Sequence, residues 1–290
     1  MIRFNKIQRT IVLCCCISFV ACGGKTKNKV PENIYAHDEL YTDEFVLKDS
    51  LGMDFSGEPY PMGVDESFDD FVFAYASNKD FQVQRTKFPL PIIEDGKEIS
   101  FIQKKEWVND SLFTDRYFYT ILFDKEEDMD MVGESELTEA RVEWIYLDDY
   151  STKSYNFKRL DKIWLLKSIS KDQLEDKKNE DFVKFYNQFA SDTIFQVSRL
   201  EKPLEYVTTD PEDDFEILET VIDANSWRSL SPVLPVKKLV NINYGQPNDA
   251  ESTSKILAVK GIGNGFSNVY FFKMNKQGSW KLYKFEDIGV

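Results

Sequence analysis

The stretch FQVQRTKFPL spans residues 81–90 and FQVSRLEKPL spans residues 195–204, so six of ten letters return 114 positions downstream. The match extends upstream without a gap, FDDFVFAYASNKDFQVQRTKFPL (68–90) falling on FVKFYNQFASDTIFQVSRLEKPL (182–204). Phe68, Phe71 and Tyr75 meet Phe182, Phe185 and Phe189, and aromatics at i, i+3 and i+7 mark one face of a helix. Ser191 or Asp192 is placed to cap a second, short helix around Phe195. Pro89 and Pro203 stop that helix, because proline has no N–H to give it, and an extended segment begins. Repetition on this scale reads as one supersecondary unit written twice.

The segments that follow keep the parallel. In the first copy FPLPII, a turn at Asp95-Gly96 and ISFI form a hairpin, and in the second PLEYVTTDPEDDFEILETVI has the same outline with a longer acidic connection. A tryptophan follows each, Trp107 in KKEWVND and Trp227 in ANSWRSL. Strand-like runs come next: YFYTILF, ARVEWIYL, SYNFKRL and IWLLKSI, then KLVNINY, SKILAVKG, VYFFKM and WKLYKF. The copies close alike, YNFKRLDKIWLLK (155–167) resembling YFFKMNKQGSWKLYK (270–284). Short turns such as Asn275–Gly278 join neighbours, so the sheet is expected to be antiparallel. An apolar sheet face needs a cover, and the preceding helices supply it. The class is α+β, with helices on a curved antiparallel sheet in each of two tandem domains, 65–176 and 177–290. Each copy is long enough for a core of its own.

Helices followed by a meander that ends on an aromatic hairpin resemble the nuclear-transport-factor-2-like fold, also called cystatin-like or SnoaL-like. The phrase F-x-x-F, F-A-S-D-x-x-F-Q-x-x-R, P-L is similar to that of uncharacterised Bacteroidetes lipoproteins of this fold, over roughly residues 65–290. The resemblance implies a cone-shaped cavity beneath each sheet and no established activity.

The chain opens with a basic head (Arg3, Lys6, Arg9) and an apolar run from Ile11 to Ala21 interrupted by Ser18. That is the length of a signal-peptide core and too short to span a bilayer. Phe19-Val20-Ala21-Cys22-Gly23 resembles the lipobox of bacterial lipoproteins, which implies cleavage after Ala21 and acylation of Cys22. Residues 1–21 are then a lipoprotein signal peptide and 22–64 a tether, polar at first and rich in Gly and Pro later. Lys25, Lys27 and Lys29 stand where surface-sent relatives carry acids, which implies an outer-membrane anchor facing the periplasm. All four cysteines lie at or before Cys22, so the remainder can form neither a disulfide nor a thiolate metal site.

Loss of the leader's three positive charges takes the formal charge from −14 to −17, a surface that repels nucleic-acid backbones. The single histidine, His37, lies in the tether, so a histidine-based catalytic pair is not expected in either domain. The recurring polar letters are the better candidates: Gln82 with Gln196, and Arg85 with Arg199. Each Arg could grip an anion in two-pronged fashion or brace its short helix against a carboxylate, and recurrence favours bracing. Trp107 and Trp227 read as core or as pocket wall. Gly261, Gly263 and Gly265 lack the spacing and following helix of a dinucleotide loop and read as a turn. The acidic runs 124–131 and 208–216 lack the calcium-loop pattern and read as solvated loops. No metal, cofactor or catalytic residue is expected. The leading reading is a lipid-anchored envelope protein that binds a small apolar or amphipathic molecule, or an envelope protein, through its cones. The alternatives are an enzyme with a buried carboxylate or tyrosine in one cone, and an interaction lipoprotein with no pocket.

Overall fold

The structure, a computed structural model, describes residues 63–289 except 135, 175–179, 211–212, 247–248 and 250, and not the side chains of 213–215. The signal peptide, Cys22, His37 and the tether up to residue 62 lie outside the described residues. Val64, assigned to the tether, is buried in the core, so the folded body begins slightly earlier than expected.

The first half runs through helices α1 (Phe68–Ser77) and α2 (Lys79–Gln84), then strands β1 (Leu90–Glu94), β2 (Lys97–Ile102), β3 (Phe118–Phe123), β4 (Glu139–Tyr146), β5 (Ser151–Leu160) and β6 (Ile163–Gln173). The second runs through α3 (Glu180–Ser191), α4 (Thr193–Ser198), β7 (Leu200–Asp210), β8 (Asp213–Ile222), α5 (Ala224–Leu230), β9 (Lys238–Asn243), β10 (Ser254–Gly261), β11 (Ser267–Met274) and β12 (Trp280–Asp287). Each short helix starts on a side-chain cap. Asn78 accepts from the Phe81 N–H at 2.9 Å, and Asp192, not Ser191, accepts from Ile194 and Phe195. Asp95 and Gly96 both have positive φ, the conformation a two-residue hairpin requires between Glu94 and Lys97.

All twelve strands belong to one sheet, in the order β2-β1-β6-β5-β4-β9-β3-β10-β11-β12-β7-β8. Most neighbours are antiparallel, as expected. The exceptions are β1–β6, β7–β12 and the single bridge Thr120–Asn241 between β3 and β9. The two outer parallel joins arise because each hairpin, entered from a helix, lies beside the last strand of its own half. The order is nearly a palindrome of the repeat, with one crossing. β4 pairs with β9 instead of β3, and β10 pairs with β3 instead of β9, both antiparallel. The halves have exchanged their third strands.

Strand side chains alternate between the two faces, and the two faces support two cores. Phe68, Phe71, Tyr75 and Phe81 of α1 and α2 pack with Ile121, Val142, Tyr155, Phe157, Trp164, Ile242, Ile256 and Phe271. Phe182, Tyr186, Phe189 and Trp227 of α3 and α5 pack with Leu122, Ile145, Leu239, Leu257, Tyr270, Phe272 and Leu282. Neighbouring residues on β3, β9, β10 and β11 thus serve different cores. The repeat is nonetheless kept in detail: Tyr155 and Phe157 correspond to Tyr270 and Phe272, and the β5–β6 and β11–β12 ladders slip at matching places.

Candidate functional site

Gln82 and Gln196 do the same work on different partners. The Gln82 amide donates to the Tyr75 carbonyl at 3.0 Å and to the Asp110 carbonyl at 2.7 Å, and its oxygen accepts from the Asp110 N–H at 3.0 Å and from Asn109 at 3.2 Å. Gln196 donates to the Phe189 carbonyl at 3.2 Å, and its oxygen accepts from the Trp227 indole at 2.9 Å. Each glutamine is buried and ties the end of its long helix to the segment beyond the hairpin. That segment presents the backbone C=O and N–H of Asp110 in the first half and a buried indole in the second. Trp107 is not the counterpart of Trp227 in this contact; it is half-buried and packs edge-on against Phe88.

Arg85 grips Asp65 with two parallel hydrogen bonds of 3.0 and 2.8 Å while lying over the Phe81 ring. The carboxylate comes from the turn before α1, not from a strand, and it also accepts from the Trp164 N–H at 2.9 Å. Arg199 lies over Phe195 at 4.5 Å, and the position matching Asp65 falls among residues outside those described. The glycine run 261–265 forms the turn between β10 and β11, where a side chain at Gly261 would collide with Asn264. Asp124, expected in a solvated loop, is buried and ion-paired with Lys255.

The residues that cluster around Asp110 are the ones the repeat does not share. Asp110 accepts from the Leu112 N–H at 2.9 Å and from the Tyr155 hydroxyl, and it lies 3.5 Å from the Lys153 ammonium. Lys153 donates to the same hydroxyl and stands 4.5 Å over the Trp144 ring. Trp144, its indole N–H given to the Leu112 carbonyl at 3.0 Å, carries a second cation, Lys238, 3.8 Å from its ring centre. The Tyr146 ring is 5.9 Å from the same ammonium. Pairing explains the grouping: Trp144 faces Lys153 on β5, and Tyr146 faces Lys238 on β9. By alternation all of these side chains lie on the face covered by α1.

Lys153 makes an ion pair with Asp110, whereas no described carboxylate comes within ion-pairing distance of Lys238. Burial holds the Lys238 ammonium down to about 8, and the charge of Arg116 pushes the same way, with Asp115 and Asp110 opposing. Burial also lowers Lys153, with Asp110 opposing it, and raises the Tyr155 phenol, which Asp110 lifts further.

Register gives the corresponding positions around the second core. Val142 faces Tyr155 as Leu257 faces Tyr270, so Trp144 and Lys153 correspond to Val259 and Asn268. Tyr146 and Lys238 correspond to Gly261 and Phe118. Two cations and two aromatics on the face of the first core stand against valine, asparagine, glycine and phenylalanine on that of the second. A second inward polar group is simpler. Asp69 of α1 accepts from the Tyr244 hydroxyl at 2.6 Å, and burial raises its carboxyl. With Tyr244 edge-on to Phe68, this pair joins α1 to the end of β9.

A family model described as a domain of unknown function (DUF4348) matches residues 47–287. No match was found among curated proteins. Among solved structures, the chain is similar to one described as an NTF2-like protein from Bacteroides fragilis. It shares 50% identity with it at a TM-score of 0.74, covering 80% of this chain and 100% of that one.

Proposed function

Because the chain belongs to this DUF4348 family and has an NTF2-like fold, we propose that it is a binding protein and not an enzyme. In this reading it is lipid-anchored at Cys22 to a bacterial outer membrane, facing the periplasm. Its ligand is a small amphipathic molecule with an anionic group, held at Trp144, Tyr146, Lys153 and Lys238.

One observation carries the reading: Lys238 is a half-buried cation on an aromatic shelf, and no carboxylate among the described residues lies within ion-pairing distance of it. Such a group is poorly solvated, and an anion supplies what the fold leaves out. The partly exposed rings of Trp144 and Tyr146 leave apolar surface for the rest of the ligand. Lys153 does not compete for that role, since Asp110 already neutralises it. Absence of all four features from the matching positions around the second core argues that they do not serve folding, which the two cores share.

Fluorescence titration with anilinonaphthalene sulfonate tests this, with uncharged phenylnaphthylamine as the control. The sulfonate should bind the folded protein at least tenfold more tightly than the control, and Lys238→Met should erase the difference. Affinity should fall as pH rises through about 8, where Lys238 loses its proton, approaching about tenfold per pH unit beyond it. Equal binding by Lys238→Met would refute the assignment. The same variant checks that the cation is not structural. Lys238 binds its proton less readily folded than unfolded, so its charge opposes folding at pH 7 and ceases to do so as pH rises towards 10.5. Lys238→Met should therefore raise the melting temperature at pH 7, by about 1–2 °C. The anchor is tested separately: Cys22→Ala should move the protein from the membrane to the soluble periplasmic fraction, and unchanged membrane association would remove that part of the reading.

A further inference from the structure

The repeat that sets Lys153 on β5 sets Asn268 at the matching place on β11, and Asn268 is fully buried. It lies on the face of the second core, with Tyr270 two residues along its own strand and Asp287 beside it on β12. Its amide is half used. The nitrogen donates to the Asp287 carboxylate at 2.7 Å and to the Ser267 carbonyl at 3.3 Å, while the oxygen has no hydrogen-bond partner among the described residues. Turning the amide over would set its oxygen against both of those acceptors, so the bonds fix which end is oxygen. A buried acceptor left open in this way is rare in a folded protein. Asp287 is half-buried and also short of a partner, since no lysine or arginine among the described residues pairs with it. Burial raises its carboxyl, and the Asn268 hydrogen bond opposes this only in part. Two residues back on the same face, the Phe285 ring stacks at 5.9 Å on that of Tyr206, which is half-buried on β7.

We propose that this face of the second core binds an organic ammonium ion, a primary amine on an apolar body. An ammonium has three N–H groups and no acceptor, and it gives them to the Asn268 oxygen and to Asp287. Its charge completes the ion pair that Asp287 lacks. The Tyr206 ring attracts the cation and offers apolar surface to the carbon chain. An anion is disfavoured, because the donors of the pair, the Asn268 N–H groups, are already given away. The two cores then read opposite charges at matching places in the repeat. Around the first, the group without a partner is the Lys238 ammonium; around the second, it is a carboxylate and an amide oxygen. The proposal uses different residues from the Lys238 site and does not depend on it.

Fluorescence titration of the full chain with dansylcadaverine, a primary amine on a naphthalene body, tests this, with its N-acetyl derivative as the uncharged control. At physiological ionic strength, which screens the chain's overall negative charge, the amine should bind roughly tenfold more tightly than the control. Asp287→Asn, which keeps an acceptor oxygen for the Asn268 amide, should abolish the difference without lowering the melting temperature. Lys238→Met should leave the difference in place, so failure here and failure at the first site are separate results. In the unaltered protein, the side-chain amide resonance of Asn268 should move on addition of the amine and stay in place on addition of the control. Equal binding of the two probes, a preference that survives Asp287→Asn, or an Asn268 resonance indifferent to the amine would each overturn the proposal.

Discussion

Residues 177–290 expressed alone should show no cooperative unfolding transition. β9 loses its six-residue pairing with β4 and its bridge to β3, and β10 loses β3 as well. Val240, Ile242, Ile256, Val269 and Phe271 then face water, because they pack against the helices and strands of the first half. Exposing a large apolar side chain costs about 1.5–3 kcal/mol, so the five together approach the roughly 5–15 kcal/mol of a whole domain's stability. Residues 63–176 should fare no better, since Leu122 and Ile145 belong to the second core. Co-expression of the two fragments should restore a native-like far-ultraviolet spectrum and a single melt. A sharp, reversible transition of 177–290 by itself would show that the exchanged strands are dispensable.

The second large effect is expected at the buried ion pair. Lys255 on β10 is 2% exposed and pairs with Asp124, which also accepts from the Asp249 N–H at 2.5 Å. Removing one partner strands the other's charge, at a cost of about 3–5 kcal/mol. Lys255→Met or Asp124→Ala should each lower the melting temperature by roughly 8–15 °C for a folded body of this size. The double variant Lys255→Met/Asp124→Leu should recover most of that loss, because apolar groups of similar volume replace a buried pair at little net cost. If the double variant is as unstable as the sum of the singles, packing around these side chains matters and their charge does not.

Comparison of these two sites shows what local sequence can reveal. Helices α1 to α4, the Asp95-Gly96 hairpin and the eight later strand runs were legible because each rests on short-range spacing, caps and turns, whereas α5 around Trp227 was not read. The strand exchange was not. β4 accepts β3 or β9 as an antiparallel neighbour with equal local plausibility, and the choice is made by long-range packing. Asp124 and Lys255 carry no mark either, being 131 positions apart and set in stretches that read as an acidic loop and an ordinary strand. The parallel β1–β6 and β7–β12 joins depend likewise on where the hairpins dock.

The candidate site was missed for a different reason. Repetition drew attention to Gln82, Arg85, Gln196 and Arg199, all of which now have a helix end, a carboxylate or a ring to hold. Trp144, Lys153 and Lys238 repeat nowhere, and they meet only through the registers of β4 with β5 and with β9. A usable clue was present in the alignment of the closing hairpins: once Tyr155 is set on Tyr270, Lys153 falls on Asn268. Departures from the repeat, more than its agreements, were the place to look.

The traded third strands have an implication for how such a chain can change over time. Ile121 and Leu122 are neighbours in sequence, yet one fills the core of its own half and the other fills the core of its twin. Neither half can be shuffled out and replaced by a relative's without carrying a foreign strand into the interior that remains. Duplication has left two copies that are inherited as a bonded pair, each the custodian of the other's interior.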